Sequence, residues 1–379
     1  MTTSYHLQHR FLVFILISST LALSSCSTLH YYTQSIQGQL SILYNREDID
    51  QLLKSQQTNT FLKTKLQQVK TIRQFASQSL QLPDNKSYLY YTDLHRPYVV
   101  WNVFAAPEFS LKPYTWCYPI VGCVSYRGYF KENDAHSLAQ QLSDQGNDVY
   151  VTGIAAYSTL GWFDDPLLSS MIRWRERALA GLIFHELSHQ VVYISNETAF
   201  NEAFASAVER IGSLQWLIEN HQAEDVQRYL GYLNAQNDFR NLLNKTRIKL
   251  SVLYESNVSA EDKRNRKAAI ITEMKSDYAV LKQTWPSGIH FDLWFKTTVN
   301  NARFTSSMTY LQKIPAFYAL FLEENGDWLR FFKRIKRMEK VDQKTRNRLI
   351  NQRLNNNFDL NKIVELLNKR QANKSVHKF

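Results

Sequence analysis

The stretch from Ala178 to Val192 is apolar nearly all round. A helix of that kind is buried on every side and has to sit at the centre of the fold. It belongs to RWRERALAGLIFHELSHQVVY, residues 173–193, which contains no Pro and is rich in the helix formers Ala, Leu, Arg and Glu. Into this apolar helix are set His185, Glu186 and His189. Burying three titratable groups costs several kcal/mol unless something compensates them, and a divalent metal is the simplest compensation. His185 and His189 are four apart, so both imidazoles leave one face at a separation that suits two ligands of one zinc ion. Glu186 is turned beside them, where it reaches a water at the metal without binding the metal itself; this is the HExxH arrangement, with the Glu as general base. Gly181 and Ala178 share the face of His185. Small residues there leave room either for a substrate backbone or for a closely packed helix.

A third ligand follows within reach. Residues 198–217 repeat apolar positions at helical spacing (Phe200, Phe204, Ala207, Val208, Ile211, Leu214). Glu202 stands near the start of that helix beside the apolar stripe, placed to turn inward. Two His and one Glu form the ligand set of a catalytic zinc, one per chain, with one position open to water. Glu197 and Glu209 are rivals for the third place, the first in a turn and the second two turns along roughly the face of Glu202.

Around this centre the pattern changes along the chain. Residues 28–82 carry apolar positions at helical spacing, and Pro83-Asp84-Asn85 ends them. Residues 87–130 are rich in Tyr, Val, Trp and Phe between Pro and Gly turns, which predicts strands. A helix is expected over 135–145, a strand over 148–157, and helices almost throughout after Pro166. The expected fold is α+β, a small mixed sheet region followed by a predominantly helical region that carries the HExxH helix. An N-terminal helical segment (26–82) leads into one domain (83–379), whose small mixed sheet part (83–160) precedes a helical part (166–379).

At the N-terminus His6, His9 and Arg10 precede the apolar run Phe11–Leu23, which is too short to span a bilayer and reads as a secretory signal over residues 1–25. The run closes on Leu23-Ser24-Ser25-Cys26, which resembles a bacterial lipobox, so Cys26 is expected to carry the lipid that anchors the chain. Ser27, in place of Asp, resembles lipoproteins sent to the outer membrane, facing the periplasm. A simply cleaved signal peptide is the alternative. Cys117 and Cys123 remain; in an oxidising compartment they can pair if the chain bends between them, but not if both lie in one extended strand. The net charge of +11 comes largely from the last fifty residues, around Lys333 to Arg337 and Lys344 to Arg348. No nucleic-acid signature accompanies them. They fit the solvated faces of amphipathic helices, or helices lying against an anionic membrane.

HELSH followed by NEAFA is similar to the glutamate zincins, the superfamily of thermolysin-like enzymes and many zinc aminopeptidases. Over most of residues 26–335 the chain also resembles a bacterial family of predicted aminopeptidases. That resemblance rests on the lipobox with YYTQSIQGQL, and on WCYPIVGCVSYRGYF, AYSTLGWFDDP, FHELSHQ, FNEAFA and NNARF with Tyr310 downstream. It implies a zincin-like fold, His185, His189 and Glu202 as zinc ligands, Glu186 as base, and hydrolysis of periplasmic peptides. A zinc endopeptidase acting on envelope proteins and a non-enzymatic lipoprotein holding a metal are the other readings. The gap from His189 to Glu202 is shorter than in the better-known glutamate zincins, so the connecting turn must be tight. Ser206 stands where thermolysin-like enzymes keep an Asp that orients a ligand histidine. Tyr310 is a candidate oxyanion donor or an ordinary core Tyr. Asp165, with Asp164, is a candidate anchor for a substrate amine or a turn residue, and Arg127 a partner for a substrate carboxylate or a surface residue. The Gly-Ala-Met-Glu-Asn run of many zinc aminopeptidases is absent from the sequence.

Overall fold

The computed structural model describes residue 29 and residues 31–118, 122–156, 158–159, 161–308, 311–354 and 358–376. Cys26, Tyr310 and the signal segment lie outside the described residues. The fold is α+β. Helix α1 (31–44) comes first, then strand β1 (Glu47–Asp48) and helices α2 (Ile49–Lys54) and α3 (Thr60–Gln78). Asn59 caps α3 by accepting a hydrogen bond from Leu62 N at 2.9 Å. Its Leu66, Val69, Ile72 and Ala76 are fully buried. Arg73 of α3 is buried too, and donates to the carbonyls of Ser87, Pro83 and Asn85. The turn that ends the N-terminal segment is thus wrapped around one guanidinium.

Strands β2 (Tyr90–Thr92), β3 (Val100–Pro107), β4 (Trp116–Tyr118), β5 (Gly122–Val124) and β6 (Arg127–Tyr129) follow. Helix α4 (Glu132–Asp144) and strands β7 (Asn147–Ile154) and β8 (Leu167–Leu168) complete this part. They form three small sheets, ordered β1-β2-β8, β6-β3-β7 and β4-β5. β3 is the centre of the second. It runs antiparallel to β6 and β7, with Trp101 opposite Tyr129 and Val103 opposite Val151. Residues 101–106 are buried without alternation, as expected of a strand covered on both faces. Two strands were not expected from periodicity. β1 pairs antiparallel with β2, and β8, just past Pro166, pairs parallel with β2. Two-residue strands carry no period to read.

The helical part contains α5 (Glu176–His189), α6 (Thr198–Glu219), the long pair α7 (Ala223–Glu255) and α8 (Ala260–Leu281), and α9 (Asn301–Met308). It ends with α10 (Ile314–Glu323), α11 (Trp328–Glu339), α12 (Gln343–Asn351) and α13 (Asn361–Val376). α3, α5, α6, α10 and α11 share one core. Phe184, Phe200, Phe204, Phe317 and Phe331 lie fully inside it, each worth about 1.5–3 kcal/mol of transfer free energy. The NNARF motif is architectural. Asn300 Nδ2 donates to Val149 O, Asn301 N donates to Asp148, and Asn301 Nδ2 donates to the carbonyls of Pro107 and Glu108. These bonds tie α9 to the ends of β3 and β7.

Candidate metal centre

α5 carries no side-chain cap; packing holds it, with Leu179, Ala180, Ile183, Phe184 and Leu187 fully buried. α6 crosses against it closely. A Cβ on Gly181 would meet Ser213 Oγ at 3.1 Å and Glu209 Cγ at 3.2 Å, so this glycine serves helix packing. Ala178 instead lines a cavity.

The turn between the helices is tight, as the short spacing required. Asn201 closes it with both ends of one amide, accepting from Ile194 N at 2.9 Å and donating to Ile194 O at 2.8 Å. Asn196 takes a left-handed conformation there, φ +63°. Glu197, offered as a rival ligand, pairs with Arg346 of α12 inside the protein, and Arg346 also donates to the carbonyls of Met338 and Val341. Arg346 is 4% exposed and so leaves the solvated face expected for its basic stretch, on which Lys344 and Arg348 are exposed.

These elements bring three side chains together. His185 Nε2 lies 3.3 Å from one carboxylate oxygen of Glu202, and His189 Nε2 lies 3.6 Å from the other. Ligand atoms of His185, His189 and Glu202 all fall within 4.8 Å of one another. Glu209, the other rival, meets the far side of the first imidazole: its carboxylate is 3.2 Å from His185 Nδ1. Glu209 is thereby placed to orient the His185 ring. That partner was sought at Ser206, which lines the cavity instead.

The electrostatics suit a cation. Burial pulls His189 down to about 4, so its ring is neutral at pH 7 and keeps a lone pair to offer. His185 is also penalised by burial, yet its hydrogen bonds to Glu202 and Glu209 outweigh this and hold it well above the usual histidine range. Burial raises Glu186 to about 7, against the pull of His185, the range in which a general base is most effective at neutral pH. His189 Nδ1 is buried without a hydrogen-bond partner among the described residues. Two imidazoles and a carboxylate converging in one place fit the donor set of a divalent cation. A cavity of about 410 Å³ adjoins them, lined by His185 and Glu186 and, on the Nδ1 side of the first imidazole, by Glu209.

The remaining candidates lie elsewhere. Asp165 is 4% exposed and accepts from Thr159 N at 3.0 Å and Thr159 Oγ1 at 2.7 Å. Its carboxylate is occupied within its own turn, although it lies in the electrostatic field of Glu186. The Arg127 guanidinium stacks 4.1 Å over the ring of Tyr31, in the aromatic cluster of α1 and β6. Cys117 and Cys123 face each other across β4 and β5 and form a disulfide. That hairpin rests on the turn after α5, where Cys123 N donates to Asn196 Oδ1 at 3.2 Å. Periodicity gave no warning of Tyr88. Its backbone has φ +65°, rare for a bulky residue. Its buried hydroxyl has no partner among the described residues and lies in the field of Glu186 and Asp165.

An α+β chain with two histidines and a glutamate gathered from two packed helices has the means to hold a metal ion. A family described as "putative aminopeptidase" matches over residues 30–350. The chain belongs to that family, whose description places it among the peptidases. No curated protein matches the chain, and neither does any solved structure.

Proposed function

We propose that the protein is a zinc-dependent peptidase of the glutamate-zincin kind, acting as an aminopeptidase on peptides in the periplasm. The observation that carries this is the convergence of both imidazole Nε2 atoms on Glu202, with Glu186 beside them at the cavity wall. His185, His189 and Glu202 would hold the ion, and Glu209 fixes the tautomer and plane of His185. A zinc ion in such a site supplies a Lewis acid that polarises a carbonyl and acidifies water. Glu186 receives the proton of the attacking water on its carboxylate and returns it to the leaving amine, a transfer its burial prepares.

Turnover of aminoacyl p-nitroanilides, with and without an N-acetyl block, tests this reading. Free-amine substrates should be cleaved, and Glu186→Gln should lower turnover by about 10²–10⁴-fold while leaving the metal content intact. Cleavage of the blocked series alone would make the protein an endopeptidase. Full turnover in Glu186→Gln would remove the proposed base.

The same reading places the chain at the envelope, facing the periplasm from the outer membrane through a lipid on Cys26. Support comes from α1 and from Leu29 ahead of it. Residues 27–45 contain no Asp, Glu, Lys or Arg. Leu29, Ile36, Leu40 and Tyr44 stand out at 66%, 59%, 58% and 90% exposure, on one side of that helix. An uncharged helix with an exposed apolar stripe suits the interface of a bilayer, and the disulfide suits an oxidising compartment. Among the described residues no helix is long and apolar enough to cross a membrane. Release of the chain from the membrane fraction by Cys26→Ser is the expected result; unchanged membrane retention would refute the lipid anchor.

A further inference from the structure

The cavity beside Glu186 contains a cation that the proposed chemistry does not use. Its floor is Ala178, Leu182, His185 and Glu186 of α5, and α7 adds Tyr229 and Tyr232. Arg177 and Arg210 also line it. Arg210 is engaged, donating to Gln236 Oε1 at 3.1 Å and to Tyr318 Oη at 3.4 Å. Arg177 is held differently: its guanidinium lies 4.2 Å over the Tyr229 ring and 5.8 Å from that of Tyr232, and its charge acts on Glu209 without a hydrogen bond. No hydrogen bond or ion pair to it occurs among the described residues. The two carboxylates of the cavity are Glu186 and Glu209, and Glu209 is already on His185.

Cation–π attraction holds a guanidinium over a ring without using its N–H donors. Those donors keep the fork geometry that matches a carboxylate bidentately. We propose that Arg177 is the anchor of a carboxylate-binding subsite, which takes a free carboxylate of the peptide substrate. The proposal rests on the peptidase reading and gives that site its substrate class. Arg177 precedes His185 by eight residues on the same helix, a rise of about 12 Å. An extended peptide covers about 3.3–3.6 Å per residue. The carboxylate therefore lies within about three residues of the bond being cut, as the C-terminus of a short peptide or as an acidic side chain. An ammonium group is poorly served by this wall, where two arginines stand and one of the two carboxylates is taken.

The experiment measures binding without turnover, by calorimetry on the full chain carrying Glu186→Gln. Two matched pairs are used: Leu-Ala-Ala against its C-terminal amide, and Leu-Glu-Ala amide against Leu-Gln-Ala amide. The carboxylate member of at least one pair should bind about 10–100-fold tighter, the range of a hydrogen bond to a charged group. Which pair discriminates tells the C-terminal source from the side-chain source. Arg177→Gln should abolish the discrimination and Arg177→Lys should keep part of it. With active protein, Arg177→Gln should raise KM for the favoured member and leave kcat close to its original value. Absence of discrimination in both pairs, or discrimination that survives Arg177→Gln, overturns the subsite. Peptides that bind with carboxylate preference but are not cut by the unmutated chain would refute the peptidase reading and leave the subsite standing. Peptides that are cut without preference do the reverse.

Discussion

Glu209 should tune the affinity of the site for zinc without being a ligand. Its carboxylate lies 3.2 Å from His185 Nδ1, on the side of the ring opposite Glu202. Hydrogen bonds to charged groups contribute about 1.5–3 kcal/mol, and removing such an outer partner typically costs about 10–100-fold in metal affinity. At about 1.4 kcal/mol per tenfold the two figures agree. Glu209→Ala should therefore weaken zinc binding by about 10–100-fold. Glu209→Gln preserves the stem that packs near Gly181 and retains an oxygen to accept from Nδ1, so its loss should be smaller, under about tenfold. Competition against a chromophoric chelator measures both, with Glu202→Ala as the comparison that removes a ligand outright. Zinc affinity unchanged within about twofold in Glu209→Ala would refute the reasoning. A loss as complete as that of Glu202→Ala would refute it from the other side, making Glu209 a ligand.

Three further outcomes follow from the packing around the site. Arg346→Met should cost about 3–5 kcal/mol in urea unfolding, because it leaves Glu197 buried and unpaired. The double variant with Glu197→Leu should recover most of that, and equal loss in single and double variants would contradict it. Cys117→Ser with Cys123→Ser should lower stability by about 2 kcal/mol for a bridge across six residues, and the unmutated, denatured chain should show no thiol from this pair until reduced. Gly122→Ala should destabilise by at least about 1–2 kcal/mol, since the residue has φ +77°. Its Cβ would also fall 2.0 Å from Asn196 Oδ1, so an unchanged melting temperature would show that the hairpin does not rest on the turn after α5.

The central helix was legible because a long apolar stretch has one physical solution, and because two histidines four apart must share a face. The second helix was legible from its stripe of Phe200, Phe204 and Ile211. What periodicity could not decide was the division of labour among three glutamates. Glu202 and Glu209 are seven residues apart and project from nearly the same side of α6, so spacing alone leaves both as ligands. The crossing of α5 and α6 separates them, setting one against Nε2 and the other against Nδ1 of the same ring. Glu197 was undecidable for another reason: its partner Arg346 lies 149 positions away, and no local pattern announces such a pair. Cys117 and Cys123 depended on whether the chain reverses between them, which their pairing across β4 and β5 answers. The short strands β1 and β8 exist only because β2 is there to pair with. Arg177 was invisible because a guanidinium over two rings, without a hydrogen-bond partner among the described residues, is a property of two packed helices and has no signature in either one.

The most direct test of the account is the metal content of the full chain, purified in detergent and freed of loosely bound ions, beside His189→Ala and Glu202→Ala. The account predicts one zinc per chain in the unmutated protein and none retained in either variant, each still folded by circular dichroism. No metal in the unmutated chain, no uptake on adding zinc, and no difference between it and the variants would contradict it. His185, His189 and Glu202 would then be a buried polar cluster, and the peptidase reading would fall with the metal.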